Sequence, residues 1–272
     1  LTKDYDGGKK ELEITFNEPV EGSISSADFV VKTTADNTVH QPLIANITND
    51  KVVLRKGSVV RKGVDAFFNY EYEKSIEILS NARVEFYEHP VVHTVWAAAW
   101  YQFDQSQFSA DTVYSKFETR LNEIEQIYDS LLTKYPENAE YLLYLGTAQS
   151  LRARIYLGQK RFVSTFYAAY KGFRTIQRSN EGSQGVKDVY LPIGVIEWYS
   201  GLSNPVVRIA AQTLGVDPSR TNGIEKMEIA ANESSWAWME AMSILSVVYQ
   251  FFDINEKRGL FVSKAIAEKY PK

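Results

Sequence analysis

Cysteine is absent from the 272 residues of this chain, and histidine occurs only three times. Without cysteine there can be no disulfide bond, no thiolate metal ligand and no cysteine nucleophile. An excess of basic residues is also missing, because 30 Lys and Arg stand against 34 Asp and Glu, for a net charge of −4. A protein that binds the phosphate backbone of nucleic acids needs the opposite balance. The composition therefore argues against nucleic acid as a partner.

Long apolar runs and the familiar motifs of catalysis are missing too. The longest apolar runs, such as that at 91–100, fall well short of the roughly 20 residues of a membrane-crossing helix. Phosphate-loop and dinucleotide fingerprints are absent. No Gly-x-Ser-x-Gly elbow exists to position a nucleophilic serine. We predict a chain that does not itself span a membrane, has no catalytic residues and uses no cofactor.

Two of the three histidines lie close enough in sequence to be tested as a metal site. His89 and His93 are four residues apart, a spacing at which two side chains can share one face of a helix and bind zinc. No cysteine accompanies them, no glutamate separates them, and Pro90 places His89 at the start of the helix. We therefore interpret them as a capping and a packed histidine and predict no metal site.

Aromatic residues are unusually abundant, with 17 Tyr, 14 Phe and 5 Trp. Most should be core residues, because long helices pack on large side chains. The alternative is that some of them line a groove, where aromatic side chains act as binding anchors. The sequence leaves this choice open for two clusters: Trp96, Trp100, Tyr101 and Phe103; and Tyr141, Tyr144, Tyr156, Phe162, Phe166, Tyr167, Tyr170 and Phe173.

The periodicity of the apolar residues divides the chain into two regions. In residues 1–60 the apolar residues recur at every second position; Leu12, Ile14 and Phe16, for example, alternate with polar residues. This period predicts a small β segment of four short strands. From residue 61 to 272 the period is 3.6, which predicts a helical domain. We predict helices at about 62–86, from Pro90, and at about 111–134, 139–157, 160–177, 189–199, 206–214, 223–232, 235–252 and 256–270.

The stretch KYPENAEYLLYLG at 134–146 has the character of a joint between helices. Pro136 ends one helix, because proline cannot continue the hydrogen-bonded ladder. The step from Asn138 to Glu140 starts the next helix, and Gly146 allows that helix to pack closely against a neighbour. Helix pairs punctuated in this way are typical of repeat arrays.

Residues 61–272 resemble the divergent tetratricopeptide-repeat-like proteins of bacterial cell envelopes. The resemblance implies an α-solenoid of antiparallel helix pairs that holds another protein, commonly in the periplasm or under the outer membrane. It brings no catalytic residues. The motifs that carry it are Gly-x-x-Ala-Phe-Phe (63–68), Tyr-Pro-Glu-Asn-Ala-Glu (135–140), Tyr-Leu-Gly-x-Ala (144–148), Tyr-Leu-Pro-Ile-Gly (190–194), Gly-Ile-Glu-Lys-Met-Glu-Ile-Ala (223–230) and Glu-Lys-Tyr-Pro (268–271).

The first 60 residues have a different resemblance. Ile-Thr-Phe-Asn-Glu-Pro-Val (14–20) and Ser-Ala-Asp-Phe-Val-Val (26–31) are similar to the opening strands of bacterial immunoglobulin-like surface domains. A segment of this length is too short for the seven strands of the full sandwich. The resemblance therefore implies a partial sheet, completed by a partner or by chain outside this segment.

The functional prediction is a non-enzymatic scaffold or adaptor that binds other proteins in a periplasmic or envelope-associated assembly, with any membrane association made through its partners. The alternative is an enzyme or small-ligand-binding protein with an aromatic and arginine-lined pocket between helices. Arginine beside tyrosine suits an acidic or C-terminal peptide, although a solvated basic face is the simpler interpretation. The candidate partner-binding residues are Tyr144, Arg152, Arg154, Tyr156, Tyr167, Lys171 and Arg174.

Overall fold

The computed structural model of the chain is mostly helical. It describes the backbone of residues 56–182 and 186–270, together with six short strands within residues 1–55. Side chains are described within the two helical ranges from residue 59 onward, except that of residue 182. The strands are β1 (Thr2–Asp6), β2 (Glu11–Thr15), β3 (Val31–Lys32), β4 (Val39–His40), β5 (Ala45–Thr48) and β6 (Lys51–Leu54).

The strands pair antiparallel. In the larger group β2 lies between β1 and β6, and β5 completes the order β1-β2-β6-β5. The short strands β3 and β4 pair only with each other among the described segments. The immunoglobulin-like resemblance of this segment stays a prediction.

Eleven α-helices follow in the part of the chain that the structure describes. They are α1 (Lys56–Phe68), α2 (Tyr72–Glu85), α3 (Val92–Gln107), α4 (Ala110–Lys134), α5 (Ala139–Gly158), α6 (Phe162–Gly182), α7 (Tyr190–Leu202), α8 (Pro205–Thr213), α9 (Arg220–Glu233), α10 (Trp238–Val247) and α11 (Glu256–Lys269). A 3-10 turn at Lys187–Val189 precedes α7, and a π-helical turn at Val248–Phe252 extends α10.

Two of the predicted helices differ in the structure. The prediction of one helix at 62–86 is wrong, because the chain turns between α1 and α2, where Tyr70 has a left-handed φ of 60°. The apolar period continues across this turn, so the sequence pattern conceals it. The prediction of one α-helix at 235–252 is wrong, because the observed α-helix begins at Trp238 and gives way to the π-helical turn at Val248.

Helices pack mainly on their neighbours along the chain, and two of the pairs approach very closely. Between α5 and α6, a Cβ on Gly146 would lie 2.8 Å from the carbonyl oxygen of Gly172. Between α7 and α9, a Cβ on Gly223 would lie 2.6 Å from the carbonyl oxygen of Gly194. Any larger residue would push these backbones apart, so glycine sets the distance between the helices. The prediction that Gly146 allows close packing is confirmed.

The last residues of the helical domain return to its first helix. The hydroxyl of Tyr270 donates a hydrogen bond to the Asp65 carboxylate over 2.5 Å, and the ring of Tyr270 lies 5.9 Å from that of Phe68. One hydrophobic core extends over α1, α2, α3, α4 and α5 and includes Ile193 of α7, and a second joins α7, α9, α10 and α11. The two cores therefore meet at α7.

Candidate functional site

A cavity of about 570 Å³ lies where the two cores meet. Its size is within the range of small-molecule sites. Its wall is made by α1, α3, α5, α7 and α10, with a single residue each from α4 and α6. Most of the lining is apolar, including Phe67, Phe117, Leu151, Val195 and Ile244.

Three charged side chains stand in this apolar wall: Asp188, which accepts backbone hydrogen bonds before α10, and Arg154 and Glu240. Arg154 comes from α5 and Glu240 from α10. Glu240 keeps an accessible side chain although protein surrounds it, which is expected of a residue on a cavity wall. Burial raises the pKa of this carboxyl, and the guanidinium of Arg154 opposes that shift. The Arg154 guanidinium lies 5.6 Å from the ring centre of Tyr101.

One end of the cavity wall is fixed by a capping interaction. The Asp188 carboxylate accepts hydrogen bonds from the backbone N–H groups of Ser235, Trp236 and Ala237, just before α10. Carboxylates stabilise helix starts in this way because the first N–H groups have no partner within the helix. The guanidinium of Arg61 stacks 3.8 Å above the Trp236 ring. The start of α10 is thereby tied to α1 and to the 3-10 turn.

A second candidate site is an apolar area on the outside of the protein. Large apolar side chains are exposed along one stretch of α6, at the end of α7 and on α8, for example Phe166 at 60% and Val206 at 76%. We call these residues the α6–α8 surface. They are Phe162, Val163, Phe166, Tyr167, Tyr170, Tyr199, Leu202, Val206, Val207 and Ile209.

A groove of about 230 Å³ connects the parts of the α6–α8 surface. Phe166 and Tyr170 line it from α6, Ser200 from α7, and Val207 from α8. Almost all of the lining is apolar. Contiguous apolar areas of this kind on a protein exterior commonly mark binding sites.

Local signals in the sequence place α8 on the outside. Asn204 caps its start by accepting a hydrogen bond of 3.1 Å from the N–H of Val207, and Pro205 occupies the first turn. Such residues favour the start of a helix without help from tertiary contacts. Within α8 only Ala211 is buried. The apolar side chains of α8 therefore lack the cover that the other helices give one another.

Basic residues accompany the α6–α8 surface. Lys171 and Arg174 are exposed on α6, and Arg208 is exposed on α8. The only acidic residue in the two helices is Glu181, near the end of α6. The electrostatic surroundings of the groove are thus positive, although the whole chain is acidic.

The residues predicted to bind a partner are distributed over separate places. Tyr144 is buried, with its ring nearly parallel to that of Tyr128 at 6.4 Å. Arg152 joins α5 to α4, because its guanidinium lies 2.6 Å from the Glu125 carboxylate. The Tyr156 hydroxyl donates a hydrogen bond to Glu118 of α4 over 3.2 Å. These three residues are engaged in contacts within the protein.

The other four predicted residues face open space. Arg154 lines the cavity, whereas Tyr167, Lys171 and Arg174 are exposed on α6. Of the predicted residues, Tyr167 belongs to the α6–α8 surface and Lys171 and Arg174 lie on the same helix, whereas the residues of α7 and α8 were not predicted. The apolar residues of 206–209 next to the capping pair Asn204–Pro205 were the available signal, because a helix this short with apolar residues on much of its surface needs a partner.

His89 and His93, the two histidines tested above as a metal site, are each held by hydrogen bonds to other residues. The Nε2 of His93 lies 2.7 Å from the Tyr87 carbonyl oxygen, and its Nδ1 accepts from Arg83 over 3.0 Å. The Nδ1 of His89 accepts a hydrogen bond of 3.4 Å from the N–H of Val91. Across the described ranges there is no group of three or more His, Asp or Glu arranged to hold a metal ion.

No helix in the described part of the chain is both long and apolar enough to cross a membrane. The chain matches no protein-family model, no curated protein and no solved structure, so the sites described above rest on their own geometry.

Proposed function

We propose that this chain is a non-enzymatic scaffold that binds another protein through the α6–α8 surface. The observation that carries the proposal is the groove between α6 and α8, whose apolar walls continue into exposed apolar residues on both sides. Exposing so much apolar surface to water costs free energy, and a partner that covers it removes that cost.

The chemistry of the surface indicates what the partner presents. A groove between two helices that is lined by Phe166, Tyr170 and Val207 suits the apolar face of an amphipathic helix. Lys171, Arg174 and Arg208 beside it favour acidic residues on the flanks of that helix. The proposed partner segment is therefore an acidic amphipathic helix of a different protein.

The fold proposed for the helical domain is a tetratricopeptide-like solenoid of antiparallel pairs. Packing of each helix mainly on its chain neighbours supports this arrangement, since repeat arrays have contacts of that kind. The resemblance of residues 61–272 to envelope proteins places the proposed assembly in the bacterial periplasm or against the outer membrane. The β segment of residues 1–60 would add a second contact, because short paired strands offer free edges.

Affinity capture with matched variants tests the proposal. The chain is used to capture proteins from solubilised native membranes, and these are quantified by mass spectrometry. The double variant Phe166→Ser with Val207→Ser should lose the captured partner by about tenfold or more, as expected when central apolar anchors are truncated. The control is Val84→Ser, which changes a residue of α2 that is 85% exposed and lies outside the α6–α8 surface.

Two outcomes decide the test. Loss of the same partner from the double variant, with its retention by Val84→Ser, supports the proposal. Equal capture by the wild-type chain and the double variant would exclude the α6–α8 surface as the docking site. Circular dichroism of the variants should show unchanged helix content, because all three residues are exposed.

A further inference from the structure

The cavity between the two cores is a separate feature from the α6–α8 surface, and two of its three charged residues have no hydrogen-bond partner among the described residues. Arg154 and Glu240 have opposite charges and line the same apolar space, whereas the third, Asp188, accepts hydrogen bonds from the backbone before α10. Within the described residues neither Arg154 nor Glu240 forms a hydrogen bond or an ion pair, although the charge of Arg154 acts on the Glu240 carboxyl and its guanidinium lies over the Tyr101 ring. Both side chains keep accessible surface, so a ligand that covers them has to supply a partner to each, because an unpaired charge removed from water is costly.

Three hydroxyls of the cavity are already hydrogen-bonded within the protein. The Thr94 hydroxyl lies 2.8 Å from that of Tyr128, and the hydroxyls of Thr147 and Ser243 donate to carbonyl oxygens of their own helices over 2.9 Å. These groups therefore have little hydrogen-bonding capacity left for a ligand. Arg154 and Glu240 keep theirs and are charged, so they are the groups that would pair with the charges of a ligand.

We infer that the cavity binds a small amphiphile whose polar end carries both an anionic and a cationic group. Arg154 pairs with the anionic group, Glu240 pairs with the cationic group, and the apolar part lies against residues such as Phe117, Leu151 and Ile244. Such a ligand supplies a partner to each charge and fills the apolar space at the same time. A ligand with a single charge leaves one of the two side chains without a partner.

The required chemistry occurs in two kinds of molecule, an apolar amino acid and a lipid with a zwitterionic head group. The probes are 2-aminodecanoic acid for the first and dodecylphosphocholine, below its micelle concentration, for the second. Decanoic acid and decylamine each carry one of the two charges on a similar apolar chain. Binding of all four to the chain is measured by isothermal titration calorimetry.

The wild-type chain should bind at least one of the two zwitterionic probes about tenfold more tightly than either singly charged probe. The advantage is expected from one additional charged contact, which is a hydrogen-bonded ion pair for the amino acid and an ion pair without a hydrogen bond for the choline group. The probe that binds more tightly identifies the head group. Glu240→Gln should remove the advantage over decanoic acid, and Arg154→Met should remove the advantage over decylamine. The controls Glu225→Gln and Arg178→Met change the same charges on exposed positions outside the cavity.

Several results would overturn the inference. They are the absence of saturable binding for both zwitterionic probes, equal affinity for the zwitterionic and singly charged probes, and equal losses in the cavity variants and the controls. Thermal unfolding of every variant shows whether it is folded. If Arg154→Met does not fold, Arg154→Lys keeps the positive charge but lacks the planar fork, and it should retain part of the advantage.

Discussion

At the scale of single residues, Arg83 connects three side chains from two other helices. Its Nε donates to His93, its terminal nitrogen lies 2.5 Å from the Glu123 carboxylate, and its guanidinium stacks 3.7 Å from the Trp96 ring. His93 therefore has a cation on its Nδ1 side and a carbonyl oxygen on its Nε2 side. This arrangement requires a neutral imidazole, with the proton on Nε2.

The first prediction concerns the pH dependence of stability. Burial, aided by the charge of Arg83, lowers the pKa of His93 from 6.5 to about 4. Between these values the unfolded chain binds a proton that the folded chain does not, so stability falls as the pH falls. From this residue we expect a loss of about 2 kcal/mol in the free energy of unfolding between pH 7.5 and pH 5. Urea unfolding at the two pH values measures it.

The control for this prediction is His93→Gln, which removes the titrating group. The variant is expected to be less stable at both pH values, because glutamine does not reproduce both hydrogen bonds. Its stability should nevertheless change less between pH 7.5 and pH 5 than that of the wild-type chain, by the amount assigned to His93. An identical pH dependence in the two chains would contradict the account.

At the scale of elements, the closest helix crossing gives a direct test of packing. A Cβ on Gly223 would lie 2.6 Å from backbone atoms of both Gly194 and Trp198, which cannot move independently of α7. We expect Gly223→Ala to lower the free energy of unfolding by about 2–3 kcal/mol, the upper part of the range for overpacking. Denaturant unfolding of the variant and the wild-type chain measures the difference.

Gly259 offers a matched comparison in α11. A Cβ there would come no closer than 3.3 Å, to a side-chain carbon of Gln250 that has room to adjust. Alanine is the better helix former, so Gly259→Ala should leave stability unchanged or raise it by up to about 1 kcal/mol. Similar losses from both variants would show that the crossing distance of α7 and α9 does not depend on glycine.

Several elements could be predicted because their signals are local. The apolar period of α4 and the proline after it predicted a helix at 111–134, and the structure has Ala110–Lys134. The Asn138 side chain caps α5 by accepting from the N–H of Tyr141 over 3.0 Å. The division of the aromatic residues between core and exterior had no local signal. In the second cluster Tyr141 and Phe173 are buried, whereas Phe162 and Phe166 are exposed.

At the scale of the whole molecule, the features that matter most depend on contacts distant in sequence. The hydrogen bond between Tyr270 and Asp65 and the stacking of Arg61 on Trp236 join the first helix to residues near the end of the chain. The sequence predicted a helix at 256–270, but nothing local predicted where Tyr270 would bind. The placement of Arg154 and Glu240 in one cavity could not be predicted for the same reason.

The two proposed sites also belong to this scale, because each is built from several helices. The α6–α8 surface is bordered by basic residues, whereas the cavity between the cores is lined by Arg154 and by the acidic residues Asp188 and Glu240. Since they share no charged residue, the protein partner and the amphiphile can be tested separately. If the experiment on one site contradicts its proposal, the proposal for the other site is unaffected.

The most direct test of the central claim is site-specific photo-crosslinking in cells that naturally express this chain. A benzophenone amino acid replaces Tyr167 of the α6–α8 surface in one variant and the exposed Val84 of α2 in another. The account predicts that position 167 crosslinks to an acidic amphipathic helix of a different protein and that position 84 does not. No adduct at position 167, adducts only with further copies of this chain, or the same adduct at both positions would contradict it.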